Sequence, residues 1–154
     1  MIIAYTDGSA LGNPGPGGYG IVLISKQHKM RKELSSGFRK TTNNRMELLA
    51  VIEALKALKI PGSEIMIHTD SAYVVNAVEK GWLWGWVKKG FKGKKNVDLW
   101  QEFIPWYKKH KVKFKWVKGH AGIPENERCD QLAKAAAEGG NSLPPDRGFE
   151  QAQG

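Results

Sequence analysis

Hydrophobic and polar positions along the chain follow two periods, and the switches between them divide it into elements. Residues 1–6 form a short run rich in Ile and Tyr that stops at Asp7-Gly8-Ser9, which predicts a strand ending in a turn, with Asp7 at its C-terminal edge. The next stretch, Gly12-Asn13-Pro14-Gly15-Pro16-Gly17-Gly18-Tyr19-Gly20, holds five glycines and two prolines and predicts a loop. Residues 21–24 and 30–38 then read as two strands of a hairpin across a polar turn at 25–29. From Asn44 the period becomes 3.6: Leu48, Val51, Ile52, Leu55 and Leu58 make one stripe, stopped by Pro61-Gly62, an amphipathic helix.

A strand at 64–69 ends at Asp70, and Tyr73, Val74 and Val78 predict a short helix after it. Residues 97–109 read as helical, with Asn96 placed to cap the helix and Pro105 expected to kink or shorten it. Val112, Phe114 and Trp116 alternate with Lys111, Lys113 and Lys115, the period of a strand with one buried face. Cys129, Leu132, Ala133 and Ala136 mark a last helix over 124–138, with Pro124 at its start and Gly139 as its stop. The polar tail from Gly140, with Pro144-Pro145, is expected to fray. Three strands in series followed by alternating helices and strands predict an α/β fold: an antiparallel hairpin sheet extended by right-handed βαβ units. No repeat or linker interrupts it, and 154 residues suit one domain.

Composition narrows the class. With 41% hydrophobic and 25% charged residues, the chain is neither disordered, collagen-like nor a disulfide scaffold. No run approaches ~18 apolar residues and the first residues lack a charged n-region and a long h-region, so neither a membrane span nor secretion is expected. The single cysteine, Cys129, excludes an internal disulfide and a Cys-based zinc site, which suits a reducing, cytoplasmic setting.

Charge points to the partner. The chain carries 24 Lys and Arg against 15 Asp and Glu, a net +9, which favours a polyanion. Half of the basic residues fall in residues 80–118, where twelve lysines face only Asp98 and Glu102. A basic run alone is as readily a solvated surface. Here Trp82, Trp84, Trp86 and Phe91 are interleaved with the lysines, and rings beside ammonium groups suit nucleic acid.

Four carboxylates form a candidate constellation. Asp7 and Asp70 both end apolar strands, and parallel sheets bind ligands beyond their strand C-termini; as parallel neighbours their ends would lie ~5 Å apart, close enough to share a cation. Each alone is more readily a turn or cap residue. Glu47, four residues before Val51, points ~40° from the apolar stripe, although Asn44 and Glu47 also have capping-box spacing. Asp130, three before Ala133, lies ~60° off its stripe, where helix-dipole placement is the alternative. Acids converging without a paired base need a divalent cation such as Mg²⁺. With a basic surface, that implies phosphate chemistry, in which two such ions activate a water and stabilise the leaving oxyanion. A hydrolytic nuclease fits best. His120, in Lys118-Gly119-His120-Ala121-Gly122, is placed to move a proton or help a product leave, and is equally a solvated loop residue. No Ser-His-Asp pattern, Walker A loop or well-placed G-x-G-x-x-G competes.

These residues resemble a known family, type 1 ribonuclease H, in particular the bacterial ribonuclease HI enzymes. The likeness covers about residues 3–138 and is carried by Thr6-Asp7-Gly8-Ser9 with Gly12-Asn13-Pro14-Gly15, by Thr41-Thr42-Asn43-Asn44-Arg45-Met46-Glu47, by Thr69-Asp70-Ser71, and by Val117-Lys118-Gly119-His120 with Asn126-Glu127-Arg128-Cys129-Asp130. The resemblance implies a ribonuclease H-like fold, a five-stranded mixed sheet with helices on both faces. Residues 1–139 would be the catalytic domain, with a basic protrusion at 80–96, and 140–154 a flexible tail. It implies that Asp7, Glu47, Asp70 and Asp130 bind metal and are catalytic, with His120 assisting turnover. Two Mg²⁺ would act with substrate bound, with Mn²⁺ as a substitute. The implied reaction is endonucleolytic cleavage of the RNA strand of an RNA/DNA hybrid, giving 5′-phosphate and 3′-hydroxyl ends. Asn13, Thr42, Asn43 and Asn44 would touch the minor groove and backbone, and Trp82, Trp86, Lys88, Lys89 and Lys95 would grip the DNA strand. A monomer with no protein or membrane partner is expected. Ala72, Ala10 and Phe91 depart from residues common in the family, the protrusion is slightly shorter, and Pro105 lies outside the pattern. The alternatives are a DNA-cutting nuclease of the same fold, which the Asn43–Glu47 context disfavours, and a basic hybrid-binding module without catalysis.

Overall fold

The structure is a computed structural model that describes residues 1–119 and 121–153. The chain forms β1 (Ile2–Ala10), β2 (Gly15–Ser25), β3 (Met30–Thr41), α1 (Asn43–Lys56), β4 (Glu64–Thr69), α2 (Ala72–Glu79), α3 (Trp82–Lys88), α4 (Val97–Lys109), β5 (Lys111–Trp116), α5 (Pro124–Ala137), a 3-10 turn (Gly140–Ser142) and α6 (Arg147–Gln153). The strands make one five-stranded sheet in the order β3-β2-β1-β4-β5. β1 and β3 flank β2 antiparallel, whereas β4 runs parallel to both β1 and β5. This is the mixed sheet that the element order implied.

Helices cover both faces. Ala4, Ile21, Leu23, Ile65 and Ile67 bury one face against the α1 stripe of Leu48, Val51, Ile52 and Leu55, with Trp100 and Phe103 of α4 completing that core. On the other face α5 lies against β2, and here glycine has a use that the sequence reading did not assign. A Cβ on Gly18 would stand 2.7 Å from the Ala133 carbonyl oxygen, and one on Gly20 would collide with the Cys129 carbonyl. From Gly15 onward the stretch expected to be a loop is therefore the start of β2, poor in side chains so that a helix backbone can rest on it. With Asp7 paired to Gly20 and Ala10 to Gly17, β1 also runs past its expected end. The parallel ladder to β4 nevertheless stops at Tyr5 and His68, so Asp7 and Asp70 still emerge side by side where it ends.

Other departures have local causes. The N-cap of α1 is Thr42, whose hydroxyl accepts from the Arg45 N–H at 3.3 Å, so Asn44 and Glu47 form no capping box. Asn96 precedes α4 in a left-handed conformation without a side-chain cap; its amide donates instead to the Tyr73 hydroxyl at 3.1 Å. α4 runs through Pro105 to Lys109 without the expected shortening. The tryptophan-rich segment forms the short helix α3, which carried no 3.6-residue stripe. Trp116, expected on the buried face of β5, is 54% exposed. The tail does not fray at Asp146, which is buried and accepts from Thr41 Oγ1 at 2.7 Å and from Arg45 Nε at 2.7 Å. Among the described residues no helix is long and apolar enough to cross a membrane.

Candidate cation site and adjoining cleft

Three elements bring the acids together. Asp7 comes from β1, Asp70 follows β4, and Glu47 comes from the start of α1. Carboxylate oxygens of these three lie within 4.8 Å of one another. Gly8 makes the approach of α1 feasible, because a Cβ there would collide with the Met46 and Glu47 backbone. Its N–H donates to Asp7 Oδ1 at 2.9 Å and also to Glu47 Oε1. Glu47 is 8% exposed, and its Oε2 has no hydrogen-bond partner among the described residues.

Such a set resists ionisation. Burial, with the charges of Asp70 and Asp130, pushes Asp7 up to about 6 against the opposing hydrogen bonds from Glu47 and Gly8. Burial first, then the hydrogen bond to Asp7 and the charges of Asp7 and Asp70, hold Glu47 well above the usual carboxylate range. Hard oxygens, a buried unpartnered one among them, with like charges in contact are the donor set a divalent cation stabilises. Folded pKa values raised above the unfolded ones mean that these groups favour folding below about pH 4 and lose that contribution as pH rises through about 6. A divalent cation, which binds the ionised form, should therefore raise the melting temperature more at pH 7.5 than at pH 5. Thermal melts with Mg²⁺ and with chelator at both values check this; an equal shift at both would contradict the site.

Asp130, on α5, lines the same cleft of about 380 Å³ as Asp7, Glu47 and Asp70 but stands outside the three-oxygen set. Asn43 and Asn44 line it too, both exposed. Asn43 also organises the loop before β2: its Oδ1 accepts from the Ala10 N–H at 2.7 Å, and its own N–H donates to Asn13 Oδ1 at 3.1 Å. A neighbouring groove of about 680 Å³ joins Asn13, Thr42 and Asn44 to Lys94, Lys95 and Phe149. Lys88, Lys89, Trp82 and Trp86 do not line it. Lys88 and Lys89 are exposed at the end of α3 and Trp82 is 47% exposed under Lys80 Nζ, 5.2 Å from the ring centroid. Trp86 packs edge-on against Trp100 at 5.7 Å, with Lys94 Nζ 5.1 Å from its centroid, so most of its ring anchors α3 to α4. His120 lies outside the described residues.

Two features escaped the sequence reading. Arg45, nearly fully buried, joins Asp98 (2.8 Å) and Asp146 (2.7 Å); its sequence signal is a cation three residues before Leu48 and seven before Ile52, on the apolar stripe of α1. The Trp116 indole N–H donates to the Asp70 carbonyl at 3.2 Å, holding the main chain beside the cluster.

The family model described as RNase H matches residues 1–138. The chain is 57% identical to the ribonuclease H of Desulforamulus reducens over 150 residues, 94% of this chain and 92% of that protein. Among solved structures it resembles LC9-RNase H1, a type 1 RNase H with the type 2 active-site motif, at 34% identity and a TM-score of 0.80, covering 98% of this chain and 80% of that one. It also resembles LC11-RNase H1, solved in complex with RNA/DNA hybrid, at 27% identity and a TM-score of 0.66, covering 90% and 97%.

Proposed function

The chain belongs to the ribonuclease H family, and from that premise we propose that it is an endonuclease that hydrolyses the RNA strand of RNA/DNA hybrids, giving 5′-phosphate and 3′-hydroxyl ends. The observation that carries the proposal is the convergence of Asp7, Glu47 and Asp70 within 4.8 Å in a cleft that shares Asn44 with a groove lined by Lys94 and Lys95. Divalent cations, two Mg²⁺ with Mn²⁺ as a substitute, supply when bound the acidity that makes water a nucleophile and the charge that receives the departing 3′-oxygen. Asp7, Glu47, Asp70 and Asp130 are the residues assigned to hold them. Glu47, fixed by the Gly8 N–H, gives the set its rigid wall, and Asp70 its open side. His120 is assigned proton movement or product release on the chemistry of imidazole and on the likeness of its motif to the family's. Asn13, Thr42, Asn43 and Asn44 border the cleft and the groove as polar groups suited to the 2′-hydroxyls and backbone of a minor groove. LC11-RNase H1 in its hybrid complex supports the substrate class by relationship. Residues 1–139 are proposed as the catalytic domain, and the lone buried Cys129 supports a cytoplasmic location.

The test is incubation with a hybrid labelled on each strand, with Mg²⁺ and with chelator, beside RNA and DNA duplexes. Cation-dependent cleavage of the RNA strand alone is expected. Cleavage of the DNA duplex, or binding without turnover under Mg²⁺ and Mn²⁺, would refute the proposal. The lysines make a separate prediction. Lys88, Lys89, Lys94 and Lys95 are exposed, so neutralising all four should weaken hybrid binding and flatten the slope of log K against log salt by about one for each lysine that contacts a phosphate. An unchanged slope in a salt titration would remove them from the interface.

A further inference from the structure

Asp130 is on the cleft with the other three acids, yet its carboxylate is engaged elsewhere. Lys134, one turn further along α5, places Nζ 3.0 Å from Asp130 Oδ2. Lys134 lines the same cleft as Asp7, Glu47 and Asp70. The helix that carries the pair is seated: its backbone at Cys129 and Ala133 rests against Gly20 and Gly18. With the helix backbone seated, Asp130 can change its distance to the cation set only by rotating its side chain, and Lys134 Nζ is the cation that meets it here.

We propose that Lys134 is a positioning residue that holds Asp130 out of the cation site in the ion-free protein and competes with a divalent cation for that carboxylate; the proposal rests on the cation site assigned above. The competition is one a cation can win. An acid four residues before a base on an exposed helix surface is a weak pair, and Lys134 is 54% exposed. A divalent ion brings twice the charge of the ammonium and releases it into a cleft that a phosphate enters, where Lys134 finds a new anion. The latch thus lowers cation affinity before substrate arrives.

A calorimetric Mn²⁺ titration of the substrate-free full chain reads this directly, using wild type, Lys134→Gln and Lys134→Arg, each also with Asp130→Asn. Removing the ammonium should tighten Mn²⁺ binding by roughly three- to fivefold, the upper end of what releasing a carboxylate from an exposed ion pair supplies. Arginine, which can hold the carboxylate with two donors, should restore wild-type or weaker affinity. With Asp130→Asn present, Lys134→Gln should change affinity less than about twofold, because the held group is gone. Unchanged or weaker binding by Lys134→Gln would overturn the proposal, as would the same gain in both backgrounds, which would reduce Lys134 to a diffuse charge. Hybrid cleavage by the wild type is measured alongside: its failure sinks the proposed activity, whereas the affinity cycle stands or falls separately. The exposure of Lys134 keeps these variants foldable, and thermal melts verify it.

Discussion

Asp70→Asn should lower RNA-strand cleavage by at least roughly 10²–10³-fold, the scale on which removing one electrostatic element of a catalytic site is felt, while hybrid binding persists. The substitution keeps the shape of the side chain and takes away one anionic oxygen from the set it forms with Asp7 and Glu47. The main chain should stay in place, because the Trp116 indole holds the Asp70 carbonyl and that contact does not involve the carboxylate. Losing this charge also relieves repulsion on Asp7 and Glu47, both of which Asp70 pushes upward. The cation-free variant should therefore melt higher than the wild type at neutral pH even as it loses activity. Binding should hold or tighten, since a phosphate strand approaches one negative charge fewer. Strand-resolved cleavage and a hybrid-binding titration on the same preparations decide the matter: near wild-type turnover would remove Asp70 from the chemistry.

Where periodicity is local, the sequence is a sufficient guide. The stripe of Leu48, Val51, Ile52 and Leu55 gave α1 its buried side, and the ~40° offset of Glu47 from it put that carboxylate at the foot of the cleft, where it is found. What the sequence does not carry is who lies opposite. A glycine that bends a loop and one that admits a helix backbone are the same letter, and only the contact of Gly18 and Gly20 with α5 distinguishes them. Tryptophans among lysines suggest a nucleic-acid surface, but Trp84 packs against Tyr107 and Trp86 against Trp100, leaving Trp82 as the exposed ring of the three in α3. The polar tail illustrates the same limit: its low local hydropathy predicts fraying, and its order comes from a buried arginine far away in sequence. Asp130 lines the cleft from α5, and its i,i+4 partner Lys134 is a contact that helical spacing does carry.

Arg45→Met should be the most destabilising of these substitutions, by about 3–5 kcal/mol, the usual cost of leaving a buried carboxylate without its partner. Arg45 is 3% exposed and bonds Asp146, itself 9% exposed, through Nε and Nη2, and Asp98 through Nη1 and Nη2. One guanidinium thus fastens the first turn of α1, the start of α4 and the tail before α6 together. For a domain of this size the loss corresponds to a melting temperature lower by roughly 6–20 °C. Asp146→Asn should cost less, because the guanidinium keeps Asp98 and an amide can still meet the Thr41 hydroxyl. The pH dependence has a definite sign. The hydrogen bond from Arg45 holds Asp98 below its usual range, so this pairing stabilises the fold above the unfolded carboxylate value and loses its effect as pH falls through the lower folded value. The gap between wild type and Arg45→Met should therefore narrow below about pH 4, modestly, since Asp98 is half exposed. Because Thr42, Asn43 and Asn44 stand on the turn that Arg45 anchors, the variant should also bind hybrid less tightly below its melting point. Melting within 2 °C of the wild type across pH 3–8, the scale of less than about 1 kcal/mol, would mean that the tail rests on the domain without bracing the helix that carries Glu47.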